Sequence, residues 1–419
     1  MIKKVFTATF SGFSSVALCA QNRFPKPDFE SGYLYPEQQF VIPNEALWAY
    51  LDVAILVLLM GFVAWAIIKK RVRWPVTLVS LLSVIYFGFI RHGCVCSIGA
   101  VQNVALSLAN SSYSIPLYVL LMFALPLLFT LLFGRVFCAG VCPLGALQEL
   151  ANIKNFRLSK TVTGLLRLFP WLYLGVAILF AVTNSRFIIC RFDPFVGFFR
   201  LGGELALLLF GTLLLIFSIF TGRPFCRFIC PYGALLSLFS RLSLFRVKIT
   251  PTCINCALCH NACPVDAIRP PYQNKVKESR SKGVLRILRY LVFLPIMVMA
   301  GATVMSLLSD TLSKAHKEIR LYEQVVQNEA QPQEVQSLEL QAFYVREKTV
   351  EALAAEVSAI KRDFRLYSAV VGAFFGLIIA LNLINLSVKR TRKEYEIDAT
   401  SCVSCGRCFS YCPQNHQMS

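Results

Sequence analysis

Gly134-Arg135-Val136-Phe137-Cys138-Ala139-Gly140-Val141-Cys142-Pro143-Leu144-Gly145-Ala146-Leu147 recurs as Gly222-Arg223-Pro224-Phe225-Cys226-Arg227-Phe228-Ile229-Cys230-Pro231-Tyr232-Gly233-Ala234-Leu235. The shared G-R-x-F-C-x3-C-P-x-G-A-L pattern marks an internal duplication. Upstream of each copy lies another cysteine site: Cys94-Val95-Cys96 before the first, Cys190-Arg191-Phe192-Asp193-Pro194-Phe195 before the second. The repeated unit reads as an outward helix, an outer cysteine loop, an inward helix and an inner C-x3-C-P loop. Cys138, Cys142, Cys226 and Cys230 offer four thiolates, two from each repeat, which is the ligand count of one [4Fe–4S] cluster at a pseudo-twofold interface. Pro143 and Pro231 suit the first turn of a following helix, whose free N–H groups favour an anion. Arg135, Arg223 and Arg227 offset negative charge there. The same thiolates also suit copper or zinc, and single buried cysteines pack as small apolar residues. A repeated pairing favours the cluster.

Two further runs share another spacing: Cys253, Cys256, Cys259 and Cys263 before Pro264, and Cys402, Cys405, Cys408 and Cys412 before Pro413. C-x2-C-x2-C-x3-C-P is the bacterial ferredoxin run, in which the fourth cysteine ligates the other cluster of a pair. One [4Fe–4S] cluster then takes Cys253, Cys256, Cys259 and Cys412, and a second takes Cys402, Cys405, Cys408 and Cys263. Zinc sites favour paired cysteines over this arrangement. Cys94, Cys96 and Cys190 are read as a further metal or iron–sulfur centre, with His92 or another group as fourth ligand; a disulfide among them is the alternative.

The chain of 419 residues is 56% hydrophobic, with mean hydropathy +0.59, too apolar for a soluble domain. Apolar runs at Leu47–Ile68, Pro75–Ile90, Ile115–Phe133, Leu168–Thr183, Leu205–Phe220, Tyr290–Leu308 and Leu366–Leu386 are the candidate spans. Net charge is +19, but it clusters after alternate spans, which is the positive-inside pattern rather than a nucleic-acid footprint. The pattern places the N-terminus outside and both ferredoxin runs in the cytoplasm. Lys3, Lys4 and the stretch Val5–Ala20 read as a signal peptide.

The expected fold is an all-α integral membrane protein of about seven transmembrane helices after signal cleavage, with a small α+β two-cluster ferredoxin domain on the cytoplasmic side and an outer helical hairpin. The expected order is signal peptide 1–20, extracytoplasmic segment 21–46, transmembrane repeat bundle 47–245, ferredoxin half 246–283, transmembrane helix 284–309, extracytoplasmic hairpin 310–365, transmembrane helix 366–388 and ferredoxin half 389–419. In the hairpin, Leu312, Ala315, Ile319, Tyr322 and Val326 form one seam and Val350, Leu353, Val357 and Ile360 the other, with the turn at Asn328–Gln333. Haem finds no support, because His92, His260, His316 and His416 all lie outside the predicted spans. No dinucleotide fingerprint or P-loop is present.

The doubled C-x3-C-P loops at Cys138/Cys142 and Cys226/Cys230, with the ferredoxin runs, resemble the membrane polyferredoxins of the nitrous-oxide-reductase regulator and periplasmic nitrate-reductase quinol dehydrogenase type. The resemblance covers roughly Pro75–Ala267 and the C-terminal run. It implies an electron-transfer component of an oxidoreductase system in the bacterial inner membrane. Such a protein passes electrons between a quinol or cytoplasmic donor and an extracytoplasmic acceptor, often flavin-bearing or haem-bearing. Relatives usually place the two ferredoxin runs close together; here a helical hairpin separates them. A quinol dehydrogenase subunit is the first alternative, and a metal-handling or redox-sensing accessory for assembling another enzyme is the second.

Overall fold

Backbone polar groups in lipid find partners only within the chain, so long apolar runs become helices. The computed structural model describes residues 46–93, 97–153, 155–200, 202–250, 252–272, 280–330, 338–345, 349–388 and 391–416. The expected signal peptide, with Cys19, lies outside the described residues. Among the described residues four helices are long and apolar enough to cross a membrane: Leu47–Lys70, Lys160–Val182, Ser281–Leu307 and Val350–Ser387. Trp74–Ile90, Ser97–Ala109, Leu117–Phe133 and Leu205–Phe220 are apolar but shorter.

The bundle begins with α1 (Ala46–Trp65, drawn out by a π turn to Lys70), α2 (Trp74–Ser83, continued by a π segment to Ile90), α3 (Ser97–Ala109) and α4 (Leu117–Phe133). A π turn at Phe137–Val141 carries Cys138 into α5 (Pro143–Ala151). The second repeat follows as α6 (Lys160–Leu166), α7 (Phe169–Val182), the short α8 (Ile188–Arg191) and α9 (Pro194–Phe199), then α10 (Leu205–Phe220), α11 (Pro224–Phe228) and α12 (Pro231–Phe239). Proline opens α2, α5, α7, α9, α11 and α12 within their first two positions, where its missing N–H costs no helical bond. The cysteines of both C-x3-C-P turns lie in the main core with Phe137, Leu144, Phe225 and Tyr232. Phe195 of α9 meets Phe225 edge-on at 5.4 Å, so the segment after Cys190 packs on the turn carrying Cys226.

Beyond the bundle come α13 (Leu258–Ala262), β1 (Ile268–Arg269), α14 (Arg280–Leu307), α15 (Ser309–Ser313), α16 (Lys317–Ala330), α17 (Leu338–Val345), α18 (Val350–Ser387), β2 (Glu396–Ile397), α19 (Arg407–Ser410) and α20 (Pro413–His416). Helices α14 and α18 approach backbone to backbone at Gly301, Gly372 and Gly376, where any added Cβ would strike the facing helix. Small residues are what allow apolar helices to pack this closely. Helix α18 docks on α7 through Phe375 over Gly175 and Trp171 against Phe374, and on α6 through a bond from Asn382 Nδ2 to the Gly164 carbonyl at 2.8 Å.

The segment expected as a two-armed hairpin contains a third packed helix. Leu340 and Phe343 of α17 join Ile319, Val325, Leu353 and Val357 in one apolar cluster. The third helix turns the buried arc of α16 round by one position, so Val325 is buried and the expected seam residue Val326 is exposed. The second arm and the following apolar run are one 38-residue helix.

Candidate cluster-binding sites

The two ferredoxin runs are brought side by side by β1 and β2, which pair antiparallel with Ile268 opposite Ile397 and Arg269 opposite Glu396. Tyr272 and Arg392 extend the ladder by one bridge, and Asp398 N donates to the Ala267 carbonyl at 2.8 Å. Asp398 fixes the entry to the second run by accepting from Thr400 Oγ1 at 2.7 Å, Ser401 Oγ at 2.8 Å and Arg269 at 3.1 Å. Burial alone would raise its carboxyl, but these bonds bring it down to about 2.

Both runs follow the same local path. Asn255 and Ala257 in the first, and Ser404 and Gly406 in the second, are left-handed at matching positions between the cysteines. This conformation is uncommon for residues other than glycine. Within the second run Ser404 N donates to Cys402 Sγ at 3.4 Å, and just past the first run Ala267 N donates to Cys263 Sγ at 3.3 Å. Cys263 lines one cavity with Cys402, Cys405 and Cys408, beside Val247, Ile268 and Ile397. Cys259 instead lies in the electrostatic field of Cys253, Cys256 and Cys412. Burial pushes the Cys402 thiol up to about 12 and Cys405 to about 11, so these thiols keep their protons until a metal displaces them. His260 is taken up structurally: its ring bonds the Ile268 carbonyl at 2.8 Å and Arg157 at 2.9 Å.

The four cysteines of the C-x3-C-P turns are all buried. Burial first, then Cys226, Cys138 and Cys230, push the Cys142 thiol well above its ordinary value, which puts the four within one another's field. The two turns carry arginines at matching sequence positions, Arg135 and Arg223. Arg223 of the second repeat donates through Nη1 to the Cys138 carbonyl and through Nη2 to the Ala139 carbonyl at 2.8 Å. Arg135 of the first reaches Cys138 Sγ at 3.8 Å and the Thr400 carbonyl at 3.2 Å. A Cβ on Gly145 would meet Arg223 Nη1 and Cys226 Sγ, both at 3.5 Å; one on Gly233 would meet Arg135 Nη2 at 3.4 Å. Gly233 N donates to Cys230 Sγ at 3.3 Å.

Four buried thiols with backbone and guanidinium donors fit an anionic iron–sulfur cluster. Arg135 Nε, buried beside them without a hydrogen-bond partner, is a donor that such a group would satisfy. Among the described residues no three His, Cys, Asp or Glu side chains gather closely enough for a single metal ion.

Cys94 and Cys96 lie outside the described residues. Cys190 belongs to α8, and its Sγ would stand 2.9 Å from a Cβ on Gly99 in the first turn of α3, close after Cys96 in sequence. His92 is exposed and left-handed. Gly93, Ser97, Asp193 and Phe199 line a single cavity with Phe137 and Cys142, so the loops expected on opposite faces meet in one hollow. Asp193 caps α9 by accepting from Phe195 N at 2.9 Å, and burial raises its carboxyl to about 6.

Sequence reading missed the polar residues that join the parts. Gln148 Oε1 accepts from Phe225 N at 3.0 Å while its Nε2 lies 3.7 Å from Cys226 Sγ. Glu149 accepts from Arg223 Nε at 3.0 Å, Arg407 Nε at 2.7 Å and Arg73 Nη2 at 3.1 Å. Gln102 accepts from Ile189 N at 2.8 Å, anchoring the Cys190 loop to α3. A signal for the first two was present: Gln148-Glu149 stands where the second repeat has Leu236-Ser237.

Comparison with known proteins places these features. A 4Fe-4S binding domain matches residues 115–161 and again 204–250, each range holding one C-x3-C-P turn, and another matches 395–415 around the last run. The uncharacterized protein MJ0750 of Methanocaldococcus jannaschii is 31% identical over 191 residues, covering 43% of this chain and 77% of that protein. The regulatory protein NosR of Stutzerimonas stutzeri is 34% identical across 33% of this chain, and NirI of Paracoccus denitrificans 31% identical across 55%. This chain spans only 21% of NosR and 36% of NirI. No solved structure matches. With the duplicated cysteine turn, the split ferredoxin runs and these relatives pointing the same way, the chain belongs to the membrane polyferredoxin family of NosR and NirI type.

Proposed function

We propose that the chain relays electrons across a membrane through cysteine-held [4Fe–4S] clusters, from a cytoplasmic or quinol donor to an extracytoplasmic flavin-bearing or haem-bearing acceptor. Its ligand sets are Cys253, Cys256, Cys259 and Cys412; Cys263, Cys402, Cys405 and Cys408; and Cys138, Cys142, Cys226 and Cys230, with Cys94, Cys96 and Cys190 as a further centre. When bound, such clusters supply one-electron carriers whose potential follows charge, hydrogen bonding and exposure. The reading rests above all on Arg135, whose one guanidinium reaches both Cys138 Sγ and the Thr400 carbonyl beside Cys402. The second ferredoxin run therefore abuts the C-x3-C-P turns. The shared cavity between Cys142 and the Gly93–Asp193 loops supports a short onward path. Seven spans, the N-terminus outside and the C-terminus in the cytoplasm complete the arrangement.

Anaerobic purification with iron and acid-labile sulfide counts and EPR tests this, on the intact chain and on Cys138→Ser/Cys226→Ser. About twelve irons or more, with about four lost in the double variant, are expected. About eight irons in both proteins would refute a membrane-held cluster. One observation favours a second reading as a quinol dehydrogenase: Asp193, raised to about 6 and facing the cavity beside Cys142, has the proton affinity of a quinol base.

A further inference from the structure

Glu149 gathers three arginines from three distant parts of the chain. Arg73 comes from the connection between α1 and α2, Arg223 from the second C-x3-C-P turn, and Arg407 from between Cys405 and Cys408 of the last ferredoxin run. Each arginine also touches cysteine-bearing backbone or its immediate support. Arg223, fully buried, holds the Cys138 and Ala139 carbonyls. Arg407 bonds Asn152 Oδ1 at 2.6 Å and the Asn152 carbonyl at 3.3 Å, fastening the ferredoxin loop to the end of α5. The backbone of Arg73 abuts Gly406, where an added Cβ would stand 3.7 Å from its Cα. The duplication does not repeat this hub, because Ser237 occupies the corresponding place in the second repeat.

We propose that Glu149 is a positioning residue that seats the centre of Cys263, Cys402, Cys405 and Cys408 against the centre of Cys138, Cys142, Cys226 and Cys230, and sets their reduction potentials together. It rests on the ligand sets proposed above. A buried carboxylate amid three guanidiniums leaves the seam with two net positive charges instead of three. In a low-dielectric interior such a charge acts at both neighbouring centres, and cluster potentials respond to local charge. Arg223, the partner of Glu149, lies in the fields of both Cys405 and Cys226, one cysteine from each centre. The centre of Cys253, Cys256, Cys259 and Cys412 has no bond to this hub among the described residues.

The test is an EPR-monitored redox titration of the full-length protein, purified anaerobically with iron and sulfide counted. Cys263→Ser, Cys412→Ser and Cys138→Ser/Cys226→Ser assign the signals. Glu149→Gln removes one negative charge, so two of the three signals are expected to shift to more positive potential. The shift corresponds to at least a tenfold change in the one-electron equilibrium, 59 mV. The signal lost in Cys412→Ser stays in place, and Glu149→Asp restores the original potentials. Arg73→Gln, altering the most exposed of the three arginines, moves the same two signals the opposite way and serves if Glu149→Gln loses iron. A full iron complement with all potentials unmoved in both variants, or all three shifted equally, overturns the assignment of Glu149. About eight irons in the unaltered protein, with no signal lost in Cys138→Ser/Cys226→Ser, instead overturns the membrane-cluster reading on which it stands.

Discussion

The Arg223 guanidinium donates to the carbonyl oxygen of Cys138, so the cysteine turn of one repeat is held by the arginine of the other. Arg223 is itself left-handed, with φ 53°, a conformation that persists only where surrounding contacts over-determine it. Its Nε is paired with Glu149 at 3.0 Å. Removing one member of a buried ion pair costs about 3–5 kcal/mol, because the other charge is left uncompensated. Arg223→Ala is therefore expected to lose the roughly four irons of the C-x3-C-P turns while keeping about eight in the ferredoxin pair. Arg223→Lys keeps the charge but not the fork of donors and falls between. Iron and sulfide counts check this; an unchanged complement in Arg223→Ala would contradict it.

The split ferredoxin makes a crossed prediction. Cys263 lies in the first run but lines the cavity of Cys402, Cys405 and Cys408, whereas Cys412 of the second run neighbours Cys259. Cys263→Ser and Cys405→Ser should abolish the same EPR signal, and Cys412→Ser and Cys256→Ser the other. If Cys263→Ser instead resembles Cys256→Ser, the crossing is wrong.

Two glycines give a matched steric comparison. A Cβ on Gly222 would overlap the backbone of Pro264, which ends the first ferredoxin run. A Cβ on Gly61 of α1 meets nothing within 4 Å. Gly222→Ala is expected to weaken seating of the ferredoxin half, seen as faster proteolysis and a lower melting temperature in detergent. Gly61→Ala should leave both unchanged or gain about 0.5–1 kcal/mol from helix propensity. Equal behaviour of the two variants would count against the contact.

Asp193 gives a pH prediction whose sign follows from its raised carboxyl. Its folded value of about 6 exceeds the ordinary aspartate value of about 3.9. The folded state is thus unpenalised below pH ~4 and loses stability as pH rises through 6, by roughly 2–3 kcal/mol at one pKa unit per 1.36 kcal/mol. Asp193→Asn keeps an acceptor for Phe195 N and removes the charge. Its melting temperature relative to the parent should climb between pH 4.5 and 7 and then level off. A difference independent of pH would show that the carboxyl titrates normally.

Much of this protein is legible from its residues alone, for local reasons. C-x2-C-x2-C and C-x3-C place sulfurs within one or two turns of backbone, so spacing alone announces the ligand type. The positions of Asn255, Ala257, Ser404 and Gly406 show the two runs folding alike. Apolar runs announce helices because lipid leaves the backbone no other partner. The seam of α16 was legible only in part: heptad spacing located the helix, but the unforeseen α17 decided that Val325 rather than Val326 is buried.

Residue spacing and apolar content were enough to establish an iron–sulfur electron-transfer protein of the membrane, with a duplicated cysteine turn and two ferredoxin runs. Folding in three dimensions settled what spacing could not: Arg223 crosses to the other repeat, Gly93 and Cys142 border one cavity, and Glu149 binds three arginines. Spacing constrains atoms a few residues apart. The approach of groups far apart in the chain is set by how the apolar faces close and by the need to pair every charge that closure buries.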